Sequence, residues 1–334
     1  MKHCTIADRG GRACFVSPSG APFFSIGINH TWKDLLNCSY NREVFDSRHA
    51  GSYEAFYKEC CRDLERWGMN TYSEWEAGPD LLKKVMPPQY FGVRLSPEPI
   101  SYWDCWTSNA LEGQKRLVTD QGPLTVQWDI RHNKLFYPGF ADVFDQDAWE
   151  KRCLACVAAK AGAYGGCENL LGYYCSDIPI WTPSWWWYTR DFESKLAQGP
   201  IAGHVERFYR LFERGGHPSY SDAIRALPAG SAGKTFFIQS AQARYGTIEH
   251  FNRVYGKSFE SFAQAEACRS YAFDSAGDPD AYRRDDLALL GQIADRYYSA
   301  MRKALRALAA GALLLGDRFD ADAGVPDTVL VSCG

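Results

Sequence analysis

The sequence lacks a long apolar run, an excess of either charge and a repeat of fixed period, and each absence removes a class of protein. Apolar stretches such as Ala307 to Gly316 fall far short of the ~20 residues that cross a bilayer. Met1 to Arg9 has neither the apolar core nor the small-residue cleavage site of an export signal, so a soluble chain in the cytoplasm is expected. The net charge is −3, with acidic and basic residues intermixed. There is thus no basic stripe for nucleic acid and no acidic tail, and a nucleic acid partner is not expected. No low-complexity linker divides the chain. A phosphate loop is also missing. Gly230-Ser231-Ala232-Gly233-Lys234-Thr235 has its final Gly-Lys-Thr, but the position five before Gly233 is Pro228 where a glycine is required.

Cysteine is plentiful, with 12 residues, yet a chain without an export signal carries these as buried thiols rather than bridges. Cys153-x-x-Cys156 falls in an alanine-rich helical stretch with no second pair at zinc-ribbon spacing, so no metal and no cofactor is assigned. Aromatic residues make up 15% of the chain, including 11 Trp and 19 Tyr. That abundance suits a ligand on which rings stack, and it suits a well-filled core equally.

The chain is organised around Leu170-Leu171-Gly172-Tyr173-Tyr174-Cys175-Ser176-Asp177-Ile178-Pro179-Ile180-Trp181. The apolar run to Tyr174 is unbroken, as a strand buried on both faces requires, and then gives way to Asp177. A strand delivering a carboxylate to a rim is the pattern of barrels in which strands alternate with helices, whose C-terminal strand ends carry the chemistry. Trp181, Trp185, Trp186 and Trp187 come next, either as faces for a sugar ring or as packing for a long loop.

Related signals flank this strand. Phe23 to Ile28 reads as a compact strand ending at Asn29-His30. Tyr53, Phe56, Tyr57, Cys60, Leu64 and Trp67 recur at helical spacing between Ser52 and Trp67. Gly68 ends that helix, and a short strand through Asn70 leads to Ser73-Glu74-Trp75-Glu76. Tyr90 to Leu95 reads as a third strand, and a helix begins near Asp147. Helices are expected over Val205 to Arg214, Lys234 to Tyr245 and Asp285 to Leu308. Ala312 to Gly316 then reads as a strand leaving Asp317-Arg318 at its exit, a pair expected to form an ion pair steadying the strand end. Strand, helix, strand at intervals of tens of residues predicts a parallel sheet wound with helices.

Several segments together resemble the agarase-like and β-galactosidase-like glycoside hydrolases of the (β/α)8-barrel clan. They are Phe23 to His30, Trp67-Gly68-Met69-Asn70-Thr71, Asp142-Val143-Phe144-Asp145, Leu171 to Trp181, Phe251-Asn252-Arg253-Val254-Tyr255-Gly256 and Leu314-Leu315-Gly316-Asp317-Arg318. The resemblance implies an α/β fold of the TIM-barrel type over one domain, residues 1–334, with an entry segment 1–22 and barrel elements over 23–334. It implies hydrolysis of β-linked galactans by two carboxyl groups, one protonating the leaving oxygen and one attacking the sugar.

The resemblance also assigns roles. Asp177 stands where such enzymes carry a Gly-Tyr-Phe-x-Asp-Asn-Glu segment; with no glutamate present, it becomes the acid with a side chain one methylene shorter, or else an anchor for a substrate hydroxyl. Asn29, His30, Asn70, Glu74, Trp75 and Trp181 become sugar contacts. The strand count reaches only about the fifth strand, so the expected barrel is incomplete at the C-terminus and the strand bearing the nucleophile is absent. Three readings stay open: a hydrolase, a noncatalytic sugar-binding protein, and a truncated product without activity of its own. The expected partner is a carbohydrate, with self-association through an unclosed sheet as a further expectation.

Overall fold

The computed structural model describes residues 3–28, 36, 39–73, 79–85, 89–97, 141–176, 181, 220–268, 277–319 and 325–333. It is mixed α/β, with an antiparallel meander and a parallel sheet. Two units are distinguished. One comprises Met1–Leu95, Cys153–Cys175 and Met301–Gly316, and the other Ser96–Arg152, Ser176–Ala300 and Asp317–Gly334.

The first unit opens with β1 (Thr5–Asp8), β2 (Ala13–Val16) and β3 (Pro22–Phe23), paired antiparallel in that order. Phe23 stacks on Phe15 at 5.7 Å and on Tyr90 at 4.1 Å. The strand expected over Phe23 to Ile28 is divided: Phe23 ends β3, and Gly27–Ile28 forms β4 in the parallel sheet. The residues between cross from one sheet to the other. Asn70 holds them there, its side-chain amide donating to the Phe24 carbonyl at 2.9 Å and its side-chain oxygen accepting from the Ile26 N–H at 3.0 Å. Phe24 and Ile26, between the two strands, are 74% and 48% exposed, so the apolar run here marks neither one continuous strand nor burial.

The parallel sheet runs β4, β5 (Thr71–Ser73), β6 (Tyr90–Arg94) and β7 (Leu170–Tyr174). β4 lies so close to β5 that a Cβ on Gly27 would stand 1.9 Å from the Thr71 carbonyl oxygen, so only glycine fits. Beyond β7 the expected strand at Ala312 to Gly316 appears as a parallel bridge between Leu314 and Tyr173. The Tyr173 N–H donates to the Leu313 carbonyl at 2.8 Å, and the Leu315 N–H donates to the Tyr173 carbonyl at 2.7 Å. β7 therefore has partners along both edges, and every residue in it is buried, as its unbroken apolar run predicts.

Helices α1 (Ser39–His49), α2 (Tyr53–Arg66), α3 (Pro79–Val85) and α4 (Gln146–Tyr164) intervene between the parallel strands. α2 matches the expected span. Ser52 caps it, its hydroxyl oxygen accepting the Ala55 N–H at 3.2 Å. Its Tyr57 meets Tyr72 of β5 edge-on at 5.7 Å, and Phe91 of β6 meets Tyr164 of α4 at 6.1 Å. These rings join helix to sheet on one face. Cys156, also on α4, donates its thiol hydrogen to the Leu95 carbonyl at 2.8 Å.

The second unit is helical: α5 (Tyr220–Arg225), α6 (Ala232–Tyr245), α7 (Ile248–Tyr255), α8 (Phe262–Ala267), the long α9 (Pro279–Leu308, whose end enters the first unit) and α10 (Asp327–Cys333). The expected helices at Lys234 to Tyr245 and Asp285 to Leu308 lie within α6 and α9, while Val205 to Arg214 falls outside the described residues. Lys234 is fully buried and its ammonium donates to the Arg225 and Cys268 carbonyls. Among the described residues no helix is long and apolar enough to cross a membrane.

Two glycines separate close packing from chain entropy. A Cβ on Gly172 would lie 2.8 Å from the Leu313 carbonyl oxygen, whereas one on Gly162, exposed in α4, meets nothing within 4 Å. Gly172→Ala is expected to destabilise the chain by about 1–3 kcal/mol. Gly162→Ala is expected to stabilise it by about 0.5–1 kcal/mol. Thermal melts of the two variants check both signs.

Candidate active site

The strand exits are the place to look for chemistry, because in parallel α/β folds rigid strands hand over to variable loops at their C-terminal ends. In the second unit the exit after β7 and the exit after Leu315 are locked together. The Ser176 N–H donates to Asp317 Oδ1 at 2.6 Å, and the Ser176 carbonyl accepts from the Arg318 N–H at 3.1 Å. The Tyr298 hydroxyl of α9 donates to Asp317 Oδ2. The Asp317 N–H in turn donates to the Cys333 sulfur of α10 at 3.2 Å, and the neighbouring Ser332 hydroxyl donates to Asp295. One carboxylate thus ties two strand exits to α9 and α10.

Aromatic rings surround this clamp. Trp181 lies 5.7 Å from the Tyr298 ring and 5.5 Å from Tyr220, and meets Tyr297 edge-on at 5.5 Å. Trp149 stacks on Tyr297 at 5.1 Å and donates its ring N–H to the Arg296 carbonyl. Trp181 is 1% exposed, so its ring is core and supports Tyr298. Two buried polar atoms here, Ser176 Oγ and Trp181 Nε1, have no hydrogen-bond partner among the described residues.

The exits in the first unit carry different groups. Arg94 of β6 and Tyr174 of β7 are paired in register, and the Leu95 N–H donates to the Tyr174 carbonyl at 2.8 Å. The Tyr174 ring lies beside Gly92, where a Cβ would stand 3.5 Å from it in ordinary van der Waals contact. Tyr173, on the opposite face of the strand, has its hydroxyl pushed up to about 12, by burial first and by Cys167 second. It stays protonated at any physiological pH.

The residues singled out from sequence distribute unevenly. Asn70 precedes β5, at the N-terminal end of the strand, and spends its side chain on the Phe24 and Ile26 backbone. Trp181 is core. Asn29, His30, Glu74, Trp75 and Asp177 lie outside the described residues. Asp317, expected to pair with its neighbour Arg318, serves instead as acceptor for Ser176 and Tyr298. Tyr298 and Arg94 were not anticipated. A signal for Tyr298 exists: Tyr297-Tyr298 interrupts an apolar stripe otherwise made of Leu, Ile, Ala and Met301, and a buried phenol requires a partner.

Neither a protein-family model nor a curated protein matches this sequence. Solved structures do. The crystal structure of the agarase AgWH50C superposes at a TM-score of 0.57 with 16% identity, over 99% of this chain and 47% of that one. It shares its fold with agarases. An exo-β-agarase structure gives 0.57 at 12% identity, over 99% of this chain and 48% of that one, and PfGH50B gives 0.56 at 13%, again over 99% and 48%. The chain spans about half the length of the structures it matches.

Hydrogen bonds to a charged acceptor are worth roughly 1.5–3 kcal/mol, and Asp317 accepts one from a buried amide and one from a buried phenol. Tyr298→Phe is expected to lower stability by about 1–3 kcal/mol, and Asp317→Ala by more because it strands both donors. Hydrogen exchange should show the Ser176 amide losing protection in Asp317→Ala, which a change confined to α9 would leave intact.

Proposed function

We propose that this chain is a carbohydrate-active domain that cleaves β-linked galactans by carboxylate chemistry. The observation that carries the reading is the fold shared, over 99% of this chain, with an agarase and an exo-β-agarase. The Leu170–Tyr174 strand supports it, since a buried parallel strand directs the residues after it toward the working edge of such a fold. On this reading Asp177 is the general acid. It gives its proton to the leaving glycosidic oxygen as the bond to the anomeric carbon breaks, and a second carboxylate completes the reaction, either by attacking that carbon to form a glycosyl ester that water then hydrolyses or by activating a water that attacks it directly. Asn29, His30, Glu74 and Trp75 line the sugar subsite. Asn70 and Trp181 are left with structural tasks, as the pin of the sheet crossover and the support of Tyr298.

One observation favours a second reading, a sugar-binding domain without turnover. Both oxygens of Asp317, the carboxylate described at these exits, already accept hydrogen bonds from within the fold. Each bond draws charge from its oxygen and holds the carboxylate toward Ser176 and Tyr298, which weakens it as a nucleophile toward a sugar.

Assays on the full chain with β-linked galactan oligosaccharides separate the two. Release of new reducing ends is expected from the wild type and is expected to vanish in Asp177→Asn, while tryptophan fluorescence still reports binding. Wild-type binding without cleavage selects the second reading. Turnover unchanged in Asp177→Asn removes that residue from the acid role.

A further inference from the structure

The helical unit contains a cavity of about 240 Å³ between α6, α7 and α9. It shares no residue with the strand-exit clamp. Its floor is apolar: Phe237, Ala241, Tyr255 and Leu289 are each at most 6% exposed. Its rim is polar, formed by Ser240, Arg244, Asp285 and Gln292. A concave, mostly apolar surface with a few convergent polar groups is the ordinary form of a small-molecule site, and this one is open on the side of its polar rim. At this volume, just below the ~300–1,000 Å³ of drug-sized pockets, it accommodates a single ring.

The hydrogen-bonding groups narrow the chemistry. Asp285 is already committed. One oxygen accepts from Arg244, and the other accepts from the Tyr245 and Tyr255 hydroxyls at 2.6 and 2.9 Å. Burial and the neighbouring Asp285 push both tyrosines upward, so both remain donors. Arg244 spends one N–H group on Asp285 and is 49% exposed, which leaves further donors of its guanidinium fork at the mouth. Gln292 uses its side-chain oxygen to accept from Arg296, keeping its amide N–H groups for a ligand, and the exposed Ser240 hydroxyl is bonded to no described residue. The rim therefore offers chiefly donors.

The charges of Arg244 and Asp285 cancel across their ion pair. A bound anion would gain Arg244 but would face the Asp285 carboxylate, and a bound cation would meet only an acceptor that is already taken. A neutral ring carrying hydroxyl oxygens escapes both costs. Its oxygens accept from Arg244, Gln292 and Ser240, and its C–H face lies on Phe237, Leu289 and the Tyr255 ring.

We infer that this cavity, floored by Phe237 and Leu289 and rimmed by Ser240, Arg244 and Gln292, is a binding site for a single uncharged pyranose ring, separate from the strand exits. The assignment of a neutral hydroxylated ring stands on the cavity alone. Only the choice of galactose as first probe rests on the proposed function.

The test is titration of the full chain with D-galactose, D-glucose and D-galacturonate, monitored by ligand-observed NMR and calorimetry. Binding of a neutral pyranose is expected, weakened at least about tenfold in Ser240→Trp, which fills the mouth from an exposed helical position, and also in Gln292→Ala. Both positions are on the surface, so thermal melts should match the wild type and confirm that the fold is kept. Asp177→Asn is expected to leave this binding unchanged whatever it does to hydrolysis, so the two proposals fail independently. Absence of binding by either neutral sugar overturns the inference. So does binding by galacturonate alone, or neutral-sugar binding that both rim variants leave untouched.

Discussion

The backbone ladder joining β7 to Leu313–Leu315 is the constraint on which the parallel sheet depends. It closes a loop of very long range; the Ser176 to Asp317 contact that extends it spans 141 residues. Relative to a ten-residue turn, that closure costs only about 2 kcal/mol more, since each doubling of loop length adds about 0.6 kcal/mol. Burial outweighs it. Leu170, Leu171, Tyr173 and Tyr174 are all at most 6% exposed, and each large apolar side chain taken from water contributes about 1.5–3 kcal/mol. The strand at the middle of the chain is thus stabilised by a segment near its end. That is why Gly172 is required: the two backbones meet where a side chain has no room.

The helical unit solves a different problem, that of fixing short helices whose apolar faces are small. It does so through adjacent aspartates on α9. Asp285 collects Arg244, Tyr245 and Tyr255 from α6 and α7. Asp286 collects Ser221 and Arg225 from α5. Arg225 is fully buried and also lies over the rings of Phe237 and Tyr282 at 5.4 and 5.0 Å. Removing one partner of such a buried pair strands the other charge, at a cost of roughly 3–5 kcal/mol. Their net contribution to stability is small, because a well-packed apolar replacement of the whole set would be about as stable.

How much of this was legible depended on whether a feature is local. The span of α2 followed from spacing and from a serine cap, both contained in a few residues, and the burial of β7 followed from its unbroken apolar run. The Phe23 to Ile28 segment was misread because its residues serve two sheets, and the deciding contact comes from Asn70, more than 40 residues away. The same distance hid the task of Asn70, whose polarity before a strand looks identical whether it meets a ligand or a backbone. Trp181 was ambiguous for a related reason. Aromatic content says that rings will be covered, and only the fold says that Tyr220, Tyr297 and Tyr298 do the covering. Asp317 was placed correctly at a strand exit but given the wrong kind of partner, since sequence neighbours on a strand face opposite ways while the true donors come from α9 and from the exit of β7.

The clamp at Ser176 bears on the chemistry proposed for the next residue. An aspartate in place of the glutamate carried by similar enzymes is one methylene shorter and has one fewer torsion with which to adjust. Its carboxyl position is therefore set more by backbone than by rotamer. Ser176 has that backbone fixed on both sides, its N–H on Asp317 and its carbonyl on the Arg318 N–H. Catalysis is sensitive to such placement, with ~1 Å of displacement able to cost about a hundredfold in rate. On the proposed reading, Asp317 then contributes to the reaction without touching substrate, by holding the point from which the acid is presented.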